Sequence, residues 1–171
     1  MLTIIREAIR SVRNPQFFTT ELGYQGELLA EIRRRLPDAG LPGDAIVQQE
    51  YQKRLADHGI NVRPDIIVHV PTRPGGDRRQ GNFVVFELNR SAGPTEVQED
   101  FANLDTAMQA LQYPLAVFLN VASGRTQASH YGGAFRDRLH CFAVRLANGG
   151  VRIEHAYWQD DVLVEESEDV A

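Results

Sequence analysis

Two apolar runs constrain this chain more than any other feature: DIIVHV at 65–70 and NFVVFEL at 82–88, separated by PTRPGGDRRQG at 71–81. β-Branched and aromatic residues fit a pleated, half-buried strand. The proline, glycine and charge between them predict a long exposed turn. The pair therefore reads as an antiparallel hairpin with a buried apolar centre. Its second strand ends in Glu87, Asn89 and Arg90. Alternation puts Val85, Glu87 and Asn89 on one face and Phe86, Leu88 and Arg90 on the other. In such a hairpin the start of one strand lies beside the end of its partner, so Asp65 and Glu87 are expected at the same edge of the sheet. An aspartate after proline is an ordinary turn residue, and a glutamate at a strand end is ordinarily solvated. In register on one hairpin they become a pair that repels unless protonated or bridged by a cation. All-oxygen ligation of that kind is what Mg²⁺ prefers.

The remaining elements follow from periodicity. Leu2, Ile5, Ile9 and Val12 have helical spacing, and Asn14-Pro15 ends that helix. Leu28, Leu29, Ile32 and Leu36 mark a second helix over about 22–36, closed by Arg33, Arg34 and Arg35 and then Pro37. AIVQQEYQ (45–52) reads as a strand, and 94–111 as a helix whose stripe is Val97, Phe101, Leu104, Met108 and Leu111. PLAVFLNVA (114–122) is another buried strand, followed by a loop, a short helix near 130–138 and two strands near 140–146 and 151–158. Residues 1–165 are read as one domain and the acidic 166–171 as a flexible tail. Helix, three antiparallel strands, helix and strand make an α/β sandwich with a mixed central sheet, since a crossover helix joins parallel strands.

RPDIIVH (63–69) followed by NFVVFELNRS (82–91) resembles the PD-(D/E)xK restriction-endonuclease-like superfamily, and small bacterial members of it in particular. The resemblance covers roughly Glu21 to Val121, including Glu50-Tyr51 on an upstream strand. It implies an αβββαβ core flanked by helices, here with a β-rich C-terminal extension. It also implies that Asp65 and Glu87 bind Mg²⁺, with Mn²⁺ as a substitute, and activate water against a phosphodiester of DNA or RNA. A carboxylate on the first core helix often assists; Glu27 is the candidate, with Glu21 or Gln25 as alternatives if the register differs. The motif lysine is replaced by Asn89, which can hydrogen-bond a water and so position it, but carries no charge. Arg90 faces the other side of the sheet, and Lys53, the only lysine in the chain, is the one residue that could have migrated into the role. Two functions stay open: a metal-dependent endonuclease or other phosphodiesterase, and a catalytically degenerate binding or assembly module, as a homodimer or larger assembly.

Composition narrows the alternatives. A net charge of −5 supplies no global positive field, so any nucleic-acid contact must come from a local patch, for which Arg73, Arg78 and Arg79 in the turn are candidates. Cys141 is alone and excludes an internal disulfide. No apolar run approaches the roughly 20 residues that span a bilayer, and MLTIIREAIR does not read as a signal peptide, so a cytoplasmic protein without a membrane partner is expected. His69 shares a face with Asp65 but reads as structural, and His130, His140 and His155 share no metal-ligand spacing. Trp158 reads as packing or a dimer contact.

Overall fold

The computed structural model describes residues 1–49, 60–147 and 149–171. The helices are α1 (Leu2–Ser11), α2 (Glu21–Arg35) and α3 (Glu96–Leu111). The strands are β1 (Ile46–Gln49), β2 (Ile66–His69), β3 (Asn82–Arg90), β4 (Leu115–Val121), β5 (Leu139–Ala147), β6 (Gly150–Gln159) and β7 (Val162–Val170). These strands form one sheet in chain order. β1, β2 and β3 are antiparallel, β3, β4 and β5 are parallel, and β5, β6 and β7 return to antiparallel. This is the mixed, helix-flanked sheet expected from the sequence.

Period-two alternation feeds two cores. Ile66, Val68, Val84, Phe86 and Leu88 face α1 and α2, where they meet Ile5, Ile9, Leu28 and Ile32. Ile67, Val85 and Phe118 face α3, where they meet Val97, Phe101 and Leu104. Because both faces are covered, β2 and β3 can be nearly continuous in apolar residues. α2 begins where the Thr20 side chain accepts from the Gly23 N–H (3.0 Å), which fixes Glu21 in its first turn.

Several sequence expectations are corrected. The helix near 130–138 is two short 3-10 turns, Ala128–His130 and Arg136–Arg138. The chain ends in three strands rather than two, and 166–170 lie within β7 instead of forming a tail. Register explains this: Arg152 on β6 bonds Asp169 (3.0 Å), while Arg10 on α1 grips Glu168 at 2.9 and 2.5 Å. The acidic segment is thus neutralised by arginines distant in sequence. β1 is described over Ile46–Gln49, and the expected continuation to 52, with Glu50, Tyr51 and Lys53, lies outside the described residues. The 71–81 segment is turn and mostly exposed, as expected, and its last residue requires glycine: Gly81 has φ +76° and an added Cβ would lie 3.1 Å from that of Val70.

Beyond the ends of β3 and β4, one buried side chain organises the loops. Asn120 accepts from the Ala92 N–H (2.9 Å) and donates to the Ala92 and Arg125 carbonyls (3.1 and 3.0 Å). Asn120→Ala removes the partner of the buried Ala92 N–H and of the Arg125 carbonyl, while the Ala92 carbonyl keeps its bond from Gln127 Nε2 (2.8 Å); each loss costs about 1–3 kcal/mol. Urea denaturation of this variant should show a stability loss of about 2–4 kcal/mol.

Candidate functional site

Asp65 sits one residue before β2 and is fixed by three bonds. Its N–H donates to the Phe86 carbonyl (3.1 Å), its carbonyl accepts from Gln25 Nε2 (2.8 Å), and its Oδ2 accepts from the Leu88 N–H (2.7 Å). Ile66 opposes Phe86 and Ile67 opposes Val85, so the same register carries Asp65 to Glu87. The two carboxyls lie close enough for each to act on the other. Glu87 is only 5% exposed, and its Oε1 is buried without a partner.

Asn89 lies on the same face, two residues on, and its Nδ2 donates to Asp100 Oδ2 on α3 (3.2 Å). Glu21, in the first turn of α2, lies beside the backbone of Arg90 at the end of β3. Four elements thereby deliver four carboxylates to the end of β3. Burial first, then repulsion from Asp65, Asp100 and Glu21, pushes the Glu87 carboxyl up to about 10. Burial and the charges of Asp65 and Glu21 also lift Asp100, to about 6, against the bond from Asn89. Glu21 moves upward through burial and Asp65. The arrangement gathers three half-buried carboxyls around the buried Glu87, so a cation there is attracted.

The donor atoms are all oxygen, and the unpartnered Glu87 Oε1 is an acceptor without a donor. Both features fit Mg²⁺ or Mn²⁺. Among the described residues, no three His, Cys, Asp or Glu side chains already stand as a group that could hold a metal ion. Asp65 and Glu87 are the preformed pair, and Glu21 and Asp100 act on it from either side of the sheet.

The sequence candidates divide cleanly. Asp65, Glu87 and Asn89 come together; Glu27 does not join the carboxylates raising Glu87, whose α2 member is Glu21. Helix geometry gives the reason. Gln25, which bonds Asp65, is one turn from Glu21 and on its face, whereas six residues of α-helix rotate Glu27 away from Glu21 by roughly 120°. Arg73, Arg78 and Arg79 lie at the other end of the hairpin, in the turn between β2 and β3. Six strand residues from Gly81 to Glu87 amount to about 20 Å, so these arginines do not join the site. Arg90 faces the α2 side, as expected, donating from Nε to the Phe18 carbonyl (3.1 Å).

Asp100 is the residue that sequence reasoning missed. It lies three residues after Val97 and four before Leu104, beside the buried stripe of α3, and a carboxylate so placed was the available signal. His69 is structural, with Nε2 2.5 Å from Gln48 Oε1. His140 and His155 meet across β5 and β6, with Nδ1 and Nε2 2.9 Å apart. Burial lowers both to about 4, which keeps the pair neutral near pH 7. Trp158 packs against Tyr131. A separate open cleft of about 470 Å³, lined by Arg125, Thr126, His130, Glu154 and Glu165 among others, includes none of the four carboxylates.

No protein-family model and no curated protein matches the chain. Among solved structures it is similar to E. coli NucC in its cAAA-bound form, with a TM-score of 0.57 and 13% identity over 97% of this chain and 78% of that one. The apo form of E. coli NucC gives 0.56 and 11% over 99% and 83%. The cAAA-bound form of P. aeruginosa NucC gives 0.56 and 11% over 97% and 78%. The chain therefore shares its fold with the NucC structures. No helix among the described residues is long and apolar enough to cross a membrane.

A carboxyl raised on folding stabilises the protein below its unfolded value and loses that contribution as pH rises through the folded one. For Glu87 the window runs from 4.5 to about 10. Metal-free protein should therefore lose stability on going from pH 4.5 toward pH 10. Glu87→Gln should melt above wild type at about pH 8 in chelator, with the gap closing near pH 4. Equal melting at both pH values would show that Glu87 ionises at no cost.

Proposed function

We propose that the protein is a metal-dependent phosphodiesterase acting on nucleic acid, DNA or RNA. The observation that carries this reading is the Asp65–Glu87 pair at the end of β3, in which Glu87 is buried and one of its oxygens is unpartnered. Asp65 and Glu87 would hold Mg²⁺, or Mn²⁺ in its place, with Glu21 rather than Glu27 assisting from α2. A bound divalent cation there supplies Lewis-acid stabilisation of phosphoryl charge and lowers the pKa of water.

The chain's own residues supply position and environment. The Leu88 N–H and the bond from Gln25 lock Asp65. Val85 and Phe118, packed under α3, keep the Glu87 side of the sheet dry. Position 89 contributes no positive charge, and loss of a charge-stabilising group commonly costs about 10²–10³ in rate. The activity is therefore expected to be weak on generic substrates.

The same residue favours a second reading, a catalytically degenerate module that binds nucleic acid or assembles with copies of itself. Ligand binding of the kind named for the cAAA-bound neighbours belongs with that reading.

The test is incubation with plasmid DNA, single-stranded DNA and RNA in Mg²⁺ or Mn²⁺. Cleavage that disappears with EDTA and in Asp65→Ala is the expected result. Metal binding with no cleavage of any substrate would select the module. Cleavage unchanged in Asp65→Ala would remove the site from consideration.

A further inference from the structure

We infer that Asn89 is a metal-facing oxygen donor and that Asp100 is the positioning residue that turns it so. This rests on the reading that Asp65 and Glu87 hold a divalent cation. It gives position 89 a role opposite to that of a lysine: an acceptor facing the cation instead of a positive charge beside it.

The argument begins with the amide. An ionised carboxylate only accepts hydrogen bonds, so a carboxamide meeting it must present nitrogen. Asn89 does so, with Nδ2 3.2 Å from Asp100 Oδ2. The carbonyl oxygen of the same planar group is thereby directed away from Asp100. Asn89 shares its sheet face with Glu87 two residues earlier, where Oε1 is buried without a partner and the Glu87 side chain is 5% exposed. An amide oxygen beside two carboxylates extends an all-oxygen set that suits a hard cation.

Chain placement supports the assignment. Asp100 stands beside the buried stripe of α3, where a carboxylate is costly unless it is paired. The charges that act on it, Asp65, Glu21 and Glu99, all have its own sign. For stability alone this is an unfavourable residue. As a group outside the ligand set that fixes one ligand's orientation, it has a clear use, and loss of such a group typically lowers metal affinity about 10–100-fold.

Calorimetric titration with Mn²⁺ tests the inference on wild type, Asp100→Asn, Asn89→Leu and the double variant, with melting in chelator as a folding control. Asp100→Asn is close to isosteric, and it leaves the Asn89 amide free to turn either way. Each single substitution should weaken Mn²⁺ binding about 10–100-fold. The double variant should bind no more weakly than Asn89→Leu alone, because Asp100 acts through Asn89. Losses that simply multiply would show that Asp100 contributes charge only and would overturn the inference, as would wild-type affinity in either single variant. Failure of the wild type to bind Mn²⁺ would overturn the underlying metal-site reading as well.

Discussion

A carboxyl group buried beside another carboxyl is unfavourable, and the arrangement around the β2–β3 hairpin accommodates that cost. Glu87 is buried on the face that holds the α3 core, with Asp65 beside it, so it keeps its proton near neutral pH. The hairpin register creates this contact. A slip of one residue would turn Glu87 to the α1–α2 side and bring Leu88 to face Asp65. The backbone bonds between Asp65 and β3 oppose such a slip, since Asp65 both donates to Phe86 and accepts from Leu88.

The surrounding elements act on the same end of the sheet. α2 is set by its Thr20 cap, and Gln25 reaches from it to the backbone of Asp65. α3 starts where Glu96 accepts from the Gly93 N–H (3.1 Å), which brings Asp100 over Asn89. Asn120, one strand further along, ties the loop after β3 to the loop after β4. The far edge serves a different purpose. There Arg6 and Arg10 of α1 meet Glu166 and Glu168 of β7, and the histidine pair stacks with Phe142 and Tyr157. Exposed ion pairs of this sort contribute little individually; their role is to offset like charges along an acidic edge strand.

The departures from sequence expectation share one physical origin. The segment 166–170 is acidic and lacks a core-forming pattern, so local propensity gives no strand signal. Its strand arises from pairing with β6 and from arginines more than a hundred residues away. The choice of Glu21 over Glu27 likewise depends on the rotation of α2 about its axis, which packing sets. Asp100 borders the α3 stripe that was read from the sequence, but its nearness to Asn89 depends on where α3 crosses the sheet.

Local sequence fixes, among the described residues, the order of the main helices and strands through Val121, the hairpin at 65–88, and the common face of Asp65, Glu87 and Asn89. These follow from short-range rules: alternation along a strand, helical periodicity, and the inability of a proline- and glycine-rich segment to continue either. Tertiary structure alone decided which helix carboxylates join that face, that His140 meets His155, and that the acidic end of the chain is a strand. Each of these depends on helix rotation or on pairing between segments distant in the chain, and neither is written in local spacing.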